Sequence, residues 1–194
     1  MDGGHSDIER YAIDNNVPIM HAEGILFLIN MILKYQVRSI LELGSGIGYS
    51  AICMAEVNSE IRVKTIEKDE ERYHEAVRNI SNKALSNQIT CLNIDAYDFM
   101  TAEKYDLIFL DAAKAQYQGL FNRFVNNLHQ NGFFIVDNLM FHGMVDDPSL
   151  TRNRRTKDLV RKLKKFRDNI LSNSLYDVAY YPEVGDGVAL IRVK

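Results

Sequence analysis

Two groups of residues in this chain have types and spacings that could do chemistry. The first is LELGSGIGYS, residues 41–50. Gly44, Gly46 and Gly48 follow the apolar positions Val37, Ile40 and Leu41 and precede a helical pattern at Ala51, Ile52, Met54 and Ala55. Glycines there let the backbone turn tightly and come close to a ligand. The next apolar run ends in Glu67, and an acid at the carboxyl end of a strand can accept both hydroxyls of a ribose. The second group is Asp111, at the end of LIFLD, with Asp137 and Asn138, at the end of FFIVDN. Two carboxylates and an amide, with no Cys or His, are hard oxygen donors that suit Mg²⁺, whereas zinc would want sulfur or imidazole. Lys114 lies three residues past Asp111. A lysine beside a divalent cation gives up its proton more readily, so Lys114 could act as a base.

The spacing of the glycines bears on which nucleoside cofactor is bound. A dinucleotide turn reads G-x-G-x-x-G, but here the spacing is G-x-G-x-G and Tyr49 stands where the third dinucleotide glycine would be. A bulky ring there conflicts with close helix–strand packing around a pyrophosphate. S-adenosylmethionine fits better, because its carboxylate needs only a few donors, such as Ser50 and neighbouring backbone amides. Each feature also has a plainer reading. The turn alone could be an ordinary strand–helix connection, the acids loop caps, and Lys114 a surface lysine. Their joint occurrence at successive strand ends argues for a site.

The elements that must position these residues alternate. Helical periodicity covers about 6–15 and 22–34, the latter with Ile25, Leu28, Ile29 and Ile32 on one face. Strands follow at 39–43, 62–67, 89–94, 105–111 and 133–137, and helices at 49–57, 69–84 and 116–128 separate most of them. Asp69 is placed to cap the helix it precedes. A basic helix spans 151–171 with Leu159, Leu163, Phe166 and Ile170 inward, and strands at 175–181 and 187–193 close the chain. This order predicts one α/β domain over residues 1–194, with the helices in 6–34 as a cap. The sheet is expected to be doubly wound, Rossmann-like and mainly parallel, with an antiparallel C-terminal strand. Ligands bind such sheets at the carboxyl ends of the strands near the switch point, which is where Glu67, Asp95, Asp111, Asp137 and Asn138 fall.

The composition is that of a globular chain, 46% hydrophobic over 194 residues. No apolar run reaches the ~18 residues of a membrane span, and no signal peptide is visible, so a cytoplasmic location is expected. Residues 1–6 (MDGGHS) read in part as an artificially appended stretch. Cys53 and Cys91 read as small buried hydrophobes. The net charge is −3, but Thr151 to Leu171 holds nine basic residues against Asp158 and Asp168. That segment is therefore +7, which leaves −10 for the rest. Arg152, Arg154, Arg155, Lys157 and Arg161 make it a candidate phosphate-binding face, although a merely solvated helix face is the plainer reading.

LELGSGIGYSA, TIEKDEERYHEAVRNI, YDLIFLDAAKAQY and GFFIVDNLMFHG resemble the metal-dependent O-methyltransferases that include the catechol and caffeoyl-CoA enzymes. The resemblance runs from about Val17 to the C-terminus. Within that group, VPIMHAEG, DAAKAQY, RNRRTKDLVRKL and VGDGVALI look most like the bacterial tRNA 5-hydroxyuridine methyltransferases, which make 5-methoxyuridine at the wobble position. The resemblance implies that Met20, Glu42, Gly44, Ser50, Glu67, Asp95, Ala96 and Asp111 line an S-adenosylmethionine pocket. It further implies that Asp111, Asp137 and Asn138 hold Mg²⁺ and that Lys114 matches a catalytic lysine. The implied partner is the anticodon arm of tRNA, held by the basic helix, and the implied assembly is a homodimer. The segment before Val17 is shorter than the family's usual one, which often carries an extra helix used in dimer contacts. Two other readings share these residues: a methyltransferase for small phenols such as catechol, and a non-catalytic RNA-binding protein that keeps the cofactor pocket.

Overall fold

Short runs of apolar, often β-branched residues punctuated by glycine and polar turns form seven strands in one sheet. The computed structural model describes residues 5–194. Residues 1–4, part of the stretch expected to be appended, lie outside that range. The strands are β1 (Ser39–Leu43), β2 (Arg62–Glu67), β3 (Ile89–Asn93), β4 (Tyr105–Leu110), β5 (Leu128–Val136), β6 (Tyr176–Tyr181) and β7 (Val188–Val193). Their order across the sheet is β3-β2-β1-β4-β5-β7-β6. All pairs are parallel except those made by β7, which is antiparallel to both β5 and β6. The expected doubly wound sheet with an antiparallel C-terminal strand is therefore the observed one.

Strand β4 shows why two helical layers are needed. Buried on both faces, it is an almost unbroken apolar run. Leu107 and Phe109 pack on one side with Ile25, Leu28 and Ile32 of α2 (Ala22–Lys34) and Ile52 of α3 (Tyr49–Ala55). Ile8 and Ala12 of α1 (Ser6–Asp14) and Ile80 of α4 (Glu70–Asn82) belong to the same layer. Ile108 and Leu110 face the other side, against Phe121 and Phe124 of α5 (Tyr117–Phe124) and Leu163, Phe166 and Ile170 of α6 (Arg154–Ser172). Truncating a fully buried ring such as Phe166 to alanine would cost about 3–5 kcal/mol. The chain winds outward from β1 in one direction and from β4 in the other, so the switch point lies between β1 and β4.

Several boundaries differ from the pattern-based ones for identifiable reasons. Strand β5 begins at Leu128, opposite Tyr105, and then slips in register so that Phe133 pairs with Leu107. Asn131-Gly132 marks that irregularity instead of a turn between helix and strand. A side chain at 132 would stand 2.8 Å from the Tyr105 carbonyl oxygen, so the backbone approach there requires glycine. Lys114–Gln116 is a separate 3₁₀ turn before α5. Helix α6 starts at Arg154 because the Asn153 side chain caps it, accepting from the Arg155 and Thr156 amides at 2.9 and 3.1 Å. Asp69 caps α4 as expected, accepting from the Arg72 amide at 3.0 Å. No helix among the described residues is long and apolar enough to cross a membrane.

Candidate active site

A cavity of about 470 Å³ opens at the carboxyl ends of β1, β2, β4 and β5. Met20, Gly44, Ser50, Glu67, Asp95, Ala96, Asp111, Lys114, Asp137 and Asn138 all line it. Topology brings them together: β1 and β4 are neighbours, as are β4 and β5, and Leu110 pairs with Val136. Asp111 and Asp137 each follow directly on one of those paired residues.

Gly44 is the tightest element of the turn. Its φ is +103°, and a side chain there would meet the Asp111 carbonyl oxygen at 2.3 Å. The glycine thus lets the loop after β1 lie directly on the backbone that carries Asp111. Glu67, 8% exposed, is held from both sides: one carboxylate oxygen accepts from the Gly46 amide and the other from the Asp69 amide, both at 2.9 Å. Those two bonds aim it into the cavity with lone pairs to spare. Asp95 is held likewise by the Tyr97 amide at 2.9 Å. Met20 lies across Gly24, where a Cβ would stand 2.7 Å from its terminal methyl.

Glu42 is placed differently. It is fully buried beneath the cavity and does not line it. Its carboxylate accepts from Ser50 and, at 2.5 Å, from Thr65. Burial pushes its pKa up to about 7 against those two hydrogen bonds, with the nearby Glu67 adding to the rise. Its visible job is to anchor the start of α3 to β1 and β2. Tyr49 also lines the cavity, with its hydroxyl donating to Glu9 of α1 at 2.8 Å.

The oxygen donors sit at the opposite edge. Burial raises Asp111 to about 7; Lys114, its Nζ 3.7 Å from an Asp111 oxygen, pulls it down, and Asp137 pushes it further up. Burial raises Asp137, 2% exposed, to about 6, against the Asn138 amide that donates to it at 2.7 Å and the charge of Lys114. Like charges crowded in a low-dielectric pocket raise each other's pKa, and a divalent cation would relieve that crowding. Among the described residues no group of three or more His, Cys, Asp or Glu is arranged to hold a metal; the oxygens this edge could offer a cation are the Asp111 and Asp137 carboxylates and the Asn138 side-chain amide oxygen. That set suits magnesium, which retains water in its shell.

One contributor was not singled out from the sequence. Asp186, from the turn before β7, lines the cavity at 9% exposure. The signal was present in Gly185-Asp186-Gly187, an acid between two glycines at a strand's start. Asp186 and Gly187 strap down the loop that follows Asn138: Leu139 donates to the Gly187 carbonyl at 2.9 Å, Met140 to the Asp186 carbonyl at 2.8 Å, and the His142 amide to Asp186 Oδ1 at 2.7 Å. The loop needs the straps, because Asn138, Phe141 and His142 all have positive φ. Such conformations cost on the order of 1 kcal/mol each and persist only where surroundings enforce them.

The basic helix lies beside the site. Arg152, Arg154, Arg155, Lys157 and Arg161 are exposed, and none lines the cavity. Arg161 pairs with Asp158 at 3.2 Å. Two inner-face expectations change. Val160 is buried while Leu159 is only partly so, and Arg167 turns inward to Asp146 at 2.5 Å and Tyr180 at 3.4 Å. Arg167 therefore belongs to the packing of the 139–150 loop and is lost to any phosphate-binding surface. Cys53 is buried and Cys91 partly so, with burial pushing the thiols up to about 12 and about 11.

The sequence profile of the O-methyltransferase family matches residues 7–194. A catechol O-methyltransferase from Niastella koreensis is 29% identical over 170 residues, 82% of this chain and 75% of that protein. A caffeoyl-CoA O-methyltransferase from Stellaria longipes is 25% identical over 175 residues, 85% of this chain and 72% of that one. A Staphylococcus aureus crystal structure, provisionally named a caffeoyl-CoA O-methyltransferase, superposes with a TM-score of 0.94. The match covers 100% of this chain and 93% of that one at 28% identity.

Proposed function

This chain belongs to the O-methyltransferase family, and from that premise we propose that it methylates 5-hydroxyuridine at the wobble position of tRNA, using S-adenosylmethionine and Mg²⁺. The observation that carries the methyl-transfer part of this reading is one cavity lined both by a ribose-type acid, Glu67, and by the oxygen donors Asp111, Asp137 and Asn138. Glu67 would take the ribose hydroxyls of the cofactor, and the turn at 44–48 its methionine end. Asp111, Asp137 and Asn138 would hold Mg²⁺, whose chemistry when bound is to polarise a hydroxyl and stabilise its oxyanion.

The chain's own residues do the rest by positioning, which supplies much of the acceleration in a methyl transfer. Gly44 lets the turn after β1 lie against the Asp111 backbone. The straps from Asp186 and Gly187 hold the loop after Asn138. Lys114 and His142 are basic side chains in the cavity to which the hydroxyl proton could pass. An RNA acceptor is favoured by α6, a strongly basic helix that follows Asn138 in the chain after the segment 139–153. Arginines and lysines outside the pocket would grip phosphates while a base splayed from a single-stranded loop enters it.

A small phenol would meet the same residues, and the curated relatives carry catechol and caffeoyl-CoA names. The deciding experiment offers the purified protein radiolabelled S-adenosylmethionine with Mg²⁺ and either catechol or tRNA lacking the wobble methyl. Label in tRNA, recovered as 5-methoxyuridine, supports the RNA reading. Label in catechol alone moves the function to small phenols, and label in neither refutes both.

A further inference from the structure

Tyr49, which stands in the place of the third dinucleotide glycine, is buried at the first position of α3 and lines the cavity. Its hydroxyl donates to Glu9 of α1 at 2.8 Å, and the His5 ring meets its ring edge-on, with 6.0 Å between centroids. Helix α1 has little else to hold it. It is nine residues long, shorter than an isolated helix needs to persist in water, and its buried residues are Ile8 and Ala12. Among the described residues its polar ties to the rest of the chain are Glu9 to Tyr49, Asp7 to Lys83 at 3.2 Å and, just ahead of the helix, His5 to Glu56 at 3.0 Å. Of those three partners only Tyr49 lines the cavity. The chain that follows α1 reaches the same cavity. Val17 donates to the Ala12 carbonyl at 2.8 Å, and Pro18, Ile19, Met20 and His21 form part of the wall. A docked α1 therefore holds Tyr49 and also leads directly into a second stretch of wall.

We infer that Glu9 is a positioning residue for the cofactor, acting through Tyr49, so that docking of α1 and occupancy of the cofactor cavity strengthen each other. The inference rests on S-adenosylmethionine binding in this cavity, as proposed above, and not on which acceptor is methylated. With its hydroxyl tied to Glu9, the Tyr49 ring is fixed where the 44–48 turn opens into α3, the place assigned to the methionine end of the cofactor. A ligand that touches both Tyr49 and the 18–21 wall favours the docked form of α1, because undocking frees the one and loosens the other. By linkage, the docked helix raises the ligand's affinity by the same factor. A short helix with few buried side chains opens readily, so a modest preference of the ligand moves it measurably. The bulky side chain at position 49 thereby has a use that glycine could not serve.

Calorimetry with S-adenosylhomocysteine and hydrogen exchange, both on the full chain, test this without an acceptor. Tyr49→Phe keeps the ring and removes the hydroxyl. It should weaken S-adenosylhomocysteine binding about 10-fold, and Glu9→Ala should do the same. Glu9→Gln, whose amide oxygen can still accept from the hydroxyl, should bind almost as the wild type does. The double variant Glu9→Ala with Tyr49→Phe should be no weaker than either single one, since both break the same contact. In the wild type, S-adenosylhomocysteine should slow exchange of the α1 amides of residues 10–14, and in Tyr49→Phe most of that protection should be lost. Undiminished affinity in Tyr49→Phe, or losses that add in the double variant, overturns the relay from Glu9 through Tyr49. Exchange in α1 that ignores the ligand in the wild type overturns the coupling. If the wild type binds no S-adenosylhomocysteine, the cofactor premise fails and the inference falls with it. If it binds as expected but methylates neither tRNA nor catechol, the proposed function fails and the coupling stands.

Discussion

Replacing Asp137 by asparagine should make the cation-free protein more stable at pH 8 while abolishing its response to a divalent cation. Asp137 is 2% exposed, and burial lifts its carboxyl from 3.8 to about 6, aided by the neighbouring Asp186. The folded pKa is above the unfolded one, so this group favours folding fully only below about pH 4. That contribution is lost as pH rises through about 6. A two-unit rise corresponds to about 3 kcal/mol at pH 8. That value already includes the opposing pull of Lys114 and the Asn138 amide; with the burial of the asparagine amide offsetting part of the gain, we expect about 2 kcal/mol to be recovered in the variant. The asparagine oxygen can still accept from the Asn138 amide, which limits new damage. For a chain of this size that is a rise in Tm of roughly 4–8 °C. The assay is thermal unfolding in EDTA at pH 4 and pH 8. The two proteins should nearly coincide at pH 4 and separate at pH 8. Adding Mg²⁺ should then raise the wild-type Tm, the stabilisation being about 2.7 kcal/mol when the ion is at 100 times its Kd, and leave Asp137→Asn unmoved. A variant less stable than wild type at pH 8, or one still stabilised by Mg²⁺, would refute the assignment of Asp137 to a crowded cation-binding edge.

Three further outcomes follow from the same geometry. Gly44→Ala combines a φ of +103° with a 2.3 Å clash against the Asp111 backbone and should destabilise by about 2–5 kcal/mol. It should also weaken binding of S-adenosylhomocysteine by calorimetry, and a normal melting curve would show that the turn has more room than described. Reversing Arg154, Arg155 and Lys157 to glutamate should cut tRNA binding and flatten its salt dependence by roughly one unit of slope per lost phosphate contact. Cofactor affinity should not move, and unchanged tRNA retention on filters would place any RNA elsewhere. Arg167→Met removes the bond to Asp146 at 2.5 Å and should cost about 1–3 kcal/mol in urea unfolding. If stability is unaffected, Arg167 is not holding the 139–150 loop.

Sequence pattern alone determined which residues stand at strand ends, because burial on both faces forces unbroken apolar runs whose first polar residue marks the carboxyl edge. Asp111, Asp137 and Asn138 were legible for that reason, Glu67 as the acid that closes β2, and Asp69 as a cap. The doubly wound sheet was legible because parallel strands need helical crossovers. Other features depended on contacts between segments far apart in the chain. Glu42 reads locally like the other acids, but the Ser50 and Thr65 hydroxyls that surround it arrive only when β1, β2 and α3 pack. Arg167 looks like one of nine equivalent cations until the 139–150 loop brings Asp146 to it. Asp186 joins the site because β7 lies beside β5, which returns residue 186 to the loop after Asn138. Periodicity reports which face of an element is buried; only the packed sheet decides which distant side chain meets it there.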